Sequence, residues 1–211
     1  MSRFAVSLLV LAVVACSGSS SGPQGPTAST VAAQPSDMPS GMVRCDLSGN
    51  IDSFLDQEKT ADPSTYQSTK SDWDAARSKG ATAAFAAIYT DTAAHCAGIK
   101  TSGADVGAAT YKVVVNFVIQ FKDASSASSA YTNDSFFGIG ASDLRRNQTS
   151  VTGGEKTGLS ANSAVLDTLI NNQTYYLAVW QNKAFLVILA VLNTDSASAK
   201  KVATAENGRI K

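Results

Sequence analysis

From Phe185 to Leu192 every residue is apolar: Phe-Leu-Val-Ile-Leu-Ala-Val-Leu. A run this short between polar turns reads as a strand. Side chains on a strand alternate, so a continuously apolar one has both faces covered. The strand, read as Ala184–Leu192, follows a tight turn at Asn182-Lys183. Ahead of it lie Thr174–Gln181, a turn at Asn171-Asn172, and Ser163–Ile170. Apolar runs flanking short polar gaps are hairpin signals. Further upstream, Ala109–Lys122 alternates cleanly. Tyr111, Val113, Val115, Phe117, Ile119 and Phe121 fall on one face, and Lys112, Val114, Asn116, Val118 and Gln120 on the other. These segments predict an antiparallel sheet of about four strands, and with it an α+β fold with helices packed on one face.

An N-terminal helical region precedes the sheet. Ile51, Phe54 and Leu55 recur at helical spacing behind Ser48 and Asp52. Asp62-Pro63 breaks the run. Ser64 then caps a second helix carrying Trp73, Ala76, Ala83, Ala84, Ala87 and Ile88, divided at Gly80 and stopped at Gly98. Asp123 caps a third helix reaching about Phe137, with Ala127, Ala130 and Tyr131 inward. Gly138–Asn162 reads as a long surface loop with a short strand near Val151. Asp195 or Ser196 caps a closing helix, Ala197–Ala205.

The first fifteen residues belong to processing rather than to the fold. Arg3 supplies a positive charge, Phe4–Ala15 is almost wholly apolar, and Ala15-Cys16 follows. A short apolar core ending in a small residue is an export signal; a membrane span takes about 20 apolar residues. The Cys directly after the small residue resembles the lipobox of bacterial lipoproteins. That resemblance implies a lipid on Cys16, cleavage before it, and attachment of the chain to a bilayer through its acyl groups. It implies a cell membrane or outer membrane location with the domain facing the periplasm or exterior. It covers residues 1–16 only. The alternative is ordinary cleavage after Ala15. Residues 16–41, rich in Ser, Gly and Pro, read as a flexible tether with an r.m.s. span of about 25–30 Å. Composition leaves open that part of it docks on the domain. Residues 42–211 then form a single domain.

Cys45 and Cys96 remain once Cys16 is assigned to lipid. An even pair in an oxidising compartment reads as a disulfide, contributing roughly 3–4 kcal/mol in the chain-entropy account. Two separate buried thiols are the alternative. A redox pair would want Cys-x-x-Cys spacing, which is missing here.

The chain holds 17 basic and 17 acidic residues. Such a balance gives no electrostatic footprint for nucleic acid. His95 is the one histidine, so a Ser-His-Asp triad would have to use it. With Cys96 bridged, His95 reads as a surface or core residue, and zinc would lack paired ligands. Gly138-Ile139-Gly140 follows a helix where a dinucleotide loop needs a strand, Lys156 precedes the glycine that a phosphate loop puts before it, and Ser198-Ala199-Lys200-Lys201 lacks the partner motifs of acyl transferases. Asp72 and Asp74 flank Trp73 and cannot share a helix face. No catalytic residue, metal site or cofactor is assigned. Arg145 and Arg146, as a pair of guanidinium groups in a Gly-rich loop, are candidates for holding a small anionic ligand. Trp180, on a hairpin with Tyr175 and Tyr176, is a candidate aromatic platform. The layout resembles small exported sensor or binding domains. The expectation is a membrane-anchored binding or interaction module rather than an enzyme, partnered by the bilayer through acylated Cys16 and by an envelope protein or a small anionic ligand. An envelope hydrolase and a structural spacer are the alternatives.

Overall fold

The computed structural model describes residues 25–147 and 150–211. Its centre is one antiparallel sheet of eight strands, twice the expected number. In chain order these are β1 (Val43–Arg44), β2 (Gly49–Asn50), β3 (Ala81–Thr90), β4 (Val113–Phe121), β5 (Val151–Gly153), β6 (Asn162–Ile170), β7 (Gln173–Asn182) and β8 (Phe185–Leu192). Across the sheet the order is β1-β3-β4-β8-β7-β6-β5, with β2 also paired to β3. The first hairpin turn falls where the sequence put it, and the second lies one residue later, at Lys183-Ala184. Ile170 pairs with Gln173 and Asn182 with Phe185. Asn171 and Asn172 both take positive φ (49° and 63°), the backbone that a two-residue hairpin turn demands.

The extra strands come from three places. The largest is β3, where the sequence predicted helix. Ala83, Ala84, Ala87 and Ile88 fit a helical stripe, and alanine is the best helix former. Gly80 ends the preceding helix at φ +98°, and the alternation then decides the structure. Ala84, Ala86 and Ile88 join the core on one face of the sheet, while Ala87 and Tyr89 join the core on the other. β3 pairs with β4 along nearly its whole length, so tertiary pairing overrides propensity. The short β1 and β2 and the expected strand near Val151, β5, supply the rest.

Helices cover both faces of the sheet, not one. On the first face lie α2 (Ile51–Ala61), α3 (Pro63–Ser78), α4 (Ala93–Thr101), α5 (Ala124–Asn133) and α6 (Ala141–Asn147). On the second lie α1 (Ala28–Val31) and α7 (Ser196–Arg209). β8 explains why: Leu186, Ile188, Ala190 and Leu192 belong to one core, and Phe185, Val187, Leu189 and Val191 to the other. A one-sided arrangement would leave four of these in water. Several helix ends also differ from expectation. Asn50 caps α2 and Asp62 caps α3, with Pro63 as first helical residue. Gly98 lies inside α4 rather than ending it. α6 occupies part of the segment read as loop. Asp123 and Asp195 cap α5 and α7 as expected.

Part of the segment read as a tether, 16–41, is packed on the domain. Ala28, Val31, Ala32 and Ala33 are all buried against the second face. Asn116, which interrupts the apolar second face of β4, accepts a hydrogen bond from the Ala33 amide at 3.0 Å. The Tyr89 hydroxyl donates to the Ala33 carbonyl at 2.8 Å. Residues 28–37 therefore form a strap belonging to the folded unit. Cys16 lies outside the described residues.

Candidate functional site

The first face of the sheet is not completely covered. α2 and α3 pack over β3, and α5 packs over β4, β8 and β7. A cavity of about 630 Å³ remains over the middle strands. Its floor is apolar and built from β4, β7 and β8, with Val115, Phe117, Leu177, Ala190 and Leu192 facing it. Phe54 and Glu58 of α2 and Thr69 and Asp72 of α3 form a wall, and Val106 and Phe137–Ile139 form the rim. That size and apolar character suit a small-molecule site.

The rim at Phe137 is a tight turn. Phe136 and Ile139 exchange both backbone hydrogen bonds, at 3.2 and 3.0 Å, with Phe137 and Gly138 between them at φ +54° and +72°. A phenylalanine in the left-handed region is strained by roughly 1–2 kcal/mol. Two contacts hold it there: its amide donates to Asp72 Oδ2 at 2.7 Å, and its ring stacks on Phe117 at 3.8 Å. Phe54 meets Phe117 edge-on at 5.5 Å. The cavity thus has an aromatic corner next to an acidic wall.

Glu58 is the chemically unusual group. It is 1% exposed, and among the described residues neither carboxyl oxygen has a hydrogen-bond partner. Burial, with the neighbouring Asp62 carboxylate adding to it, pushes its pKa up to about 7, while Lys100 opposes the rise. Asp62 behaves oppositely. Hydrogen bonds from the Ser64 and Thr65 hydroxyls and the Thr65 amide hold it far below the usual carboxylate range. The Gly103 amide adds another at 2.9 Å. Lys100 donates to Gln57 Oε1 at 3.2 Å. Asp72 is raised by burial, with the Phe137 amide pulling the other way.

The Glu58 shift has a definite sign. Below pH 4.5 both folded and unfolded chains hold the proton. Between pH 4.5 and about 7 the unfolded chain ionises first, so stability falls as pH rises, and above about 7 the loss is complete. Glu58→Gln removes this penalty. The variant is expected to gain about 1–3 kcal/mol on the wild type at pH 8 and nothing at pH 4, read from urea denaturation at the two pH values.

The residues singled out from sequence lie elsewhere. Arg145 spends its guanidinium on the Tyr131 hydroxyl at 2.7 Å and the Ser163 carbonyl at 3.2 Å. Arg146 reaches Asp143 at 3.6 Å. Neither lines the cavity. Trp180 is 0% exposed in the core beneath α7 and offers no platform to a ligand. Tyr175, on the opposite face of β7, is the hairpin aromatic that borders the cavity. Cys45 and Cys96 form the expected disulfide. A smaller cavity, about 240 Å³, lies beside it. His95 stacks on Tyr111 at 3.8 Å and holds Asp91 Oδ1 at 2.5 Å through Nδ1. Among the described residues no group of three or more His, Cys, Asp or Glu is placed to hold a metal ion.

Glu58 itself escaped the sequence reading, although a signal was there. Ile51, Phe54, Leu55 and position 58 share one helical stripe. A glutamate on the apolar stripe of a helix is either paired or poised.

No protein-family model matches the chain, and no curated protein matches it. Among solved structures it is similar to the extracellular domain of PknH from Mycobacterium tuberculosis. The two share 12% identity and a TM-score of 0.51, over 90% of this chain and 98% of that one. At that identity the likeness is one of fold.

Proposed function

We propose that the protein is an exported module, anchored through lipid on Cys16, that binds a small apolar ligand in the cavity between the sheet and α2–α3. The observation that carries this reading is the cavity of about 630 Å³ itself, which exposes an apolar floor on the first face of the sheet. A domain serving only as a spacer would gain stability by closing it. The exported address is supported by the signal-like N-terminus and by likeness of fold to an extracellular domain. No described helix is long and apolar enough to cross a membrane, and the lipid on Cys16 supplies attachment in this reading.

One preparation tests both halves. Protein purified from bacterial membranes should have the mass of the chain from Cys16 plus acyl groups. Released from lipid, it should bind an uncharged apolar fluorescent probe such as N-phenyl-1-naphthylamine. Ala190→Phe puts a ring into the cavity and should weaken that binding by about tenfold or more. Probe binding unchanged in Ala190→Phe would sink the cavity reading, and an unacylated mass would sink the anchor.

A further inference from the structure

The cavity's polar residues are not neutral in sum. Among the described residues lining it, Glu58 and Asp72 are the ionisable acids, and no lysine, arginine or histidine is present. Lys100 contributes to the field at Glu58 from α4, but its ammonium donates to Gln57. Asp62 is already satisfied by four donors from Ser64, Thr65 and Gly103. Asp72 has the Phe137 amide. Among the described residues, Glu58 alone keeps two buried acceptor oxygens with no donor to either.

Three aromatic rings, Phe54, Phe117 and Phe137, are stacked or edge-packed beside this acid wall. Aromatic faces and a carboxylate together form the chemistry that recognises an ammonium group. An anion placed here would meet two carboxyls and no cation. A purely apolar molecule would leave Glu58 as it is.

We propose that the cavity selects an apolar amine, with the hydrocarbon body over the β4–β8 floor and the ammonium paired with Glu58. This rests on the cavity being the binding site and adds the chemical class of its ligand. An arriving ammonium supplies the missing counter-charge, so a bound amine lowers the cost of ionising Glu58 where burial now raises it. Binding is therefore linked to pH through Glu58, with Asp62 and Lys100 as the charged groups that act on it and Asp72 as the other acid lining the cavity.

The test is calorimetric titration of the mature chain carrying Cys16→Ser, which needs no detergent, with decylamine, decanol and decanoate. Decylamine is expected to bind about tenfold or more tightly than decanol, and decanoate more weakly than both. In Glu58→Gln the amine should fall to the level of decanol measured on the same variant. The wild-type preference for the amine should shrink from pH 8 to pH 5. Equal binding of decylamine and decanol to the wild type would overturn the amine assignment and leave the cavity reading standing. An amine preference that survives Glu58→Gln would overturn Glu58 as counter-ion; Asp72→Asn, measured in parallel, shows whether the second acid holds it instead. Binding of none of the three would overturn both readings. The wild-type comparison decides the assignment even where a variant fails to fold.

Discussion

Replacing Cys45 and Cys96 together by serine is expected to cost the fold about 4 kcal/mol, read from urea denaturation as a lower midpoint with a steeper slope, because the unfolded chain opens out once the bond is gone. The bond closes a loop of 51 residues. In the chain-entropy account a loop of that length confines the unfolded chain by about that amount. Little else would take up the load. β1 and β2, the elements flanking Cys45, are two residues each. Cys45 is buried, and its amide reaches the Ile88 carbonyl at 2.8 Å. Cys96 lies within α4, with the Thr90 hydroxyl 3.2 Å from its sulfur. The loop so closed contains α2, α3 and β3, and hence the acid wall of the cavity. Loss of the bond should therefore weaken binding in the cavity as well as lowering the midpoint. A change below about 1 kcal/mol would mean that the unfolded loop keeps residual structure, or that the edge is held by packing alone.

The pairing was legible from cysteine count and compartment, and the β6–β7–β8 meander from its turns, because both signals are local. Those strands need no knowledge of their neighbours: Asn171-Asn172 and, one residue beyond the predicted Asn182-Lys183, Lys183-Ala184 are where the chain reverses. β3 was illegible for the opposite reason. Its alanines are small because helices close over both of its faces, and the same alanines, read alone, spell a helix. What makes the segment a strand is its partner β4, thirty residues on in the chain.

Sites followed the same rule. Arginine and tryptophan draw attention in a sequence because of what they can do, but Arg145 is engaged by Tyr131 and Ser163, and Trp180 is enclosed. The informative polar residues sit inside apolar stripes, Glu58 on α2 and Asn116 on β4. Periodicity assigns such positions to the core, and their chemistry contradicts the assignment. For Asn116 the contradiction is resolved by hydrogen bonds to Ala33, Ile188 and Glu206. For Glu58 no described residue resolves it.

Arg209→Met is expected to destabilise the protein by about 3 kcal/mol and to release the strap. Arg209 is the last residue of α7, and its guanidinium gathers residues 31–37. Nε donates to the Val31 carbonyl at 3.1 Å and Nη2 to the Ala32 carbonyl at 3.0 Å. Both Asp37 oxygens accept from it, at 3.1 and 2.8 Å. Asp37 is 8% exposed, so removing the cation leaves a nearly buried carboxylate without its partner. Arg209 also restrains Glu206, which is fully buried, bonded to Asn116 Nδ2 at 2.9 Å, and raised well above the usual carboxylate range by burial. Amide exchange should quicken at Val31–Ala33 before it quickens in β4 or β8. The double variant Arg209→Met with Asp37→Asn should recover part of the loss, because the orphaned charge is then gone. A loss below about 1 kcal/mol would show that α1 is held by its buried alanines and Val31 alone. The strap matters to the proposed anchor as well. With residues from Ala28 on fixed to the sheet, the stretch from Cys16 to Ala28 can span at most roughly 40 Å when fully extended. A lipid on Cys16 would hold the domain within that reach, with the strap and α7 on the face opposite the cavity.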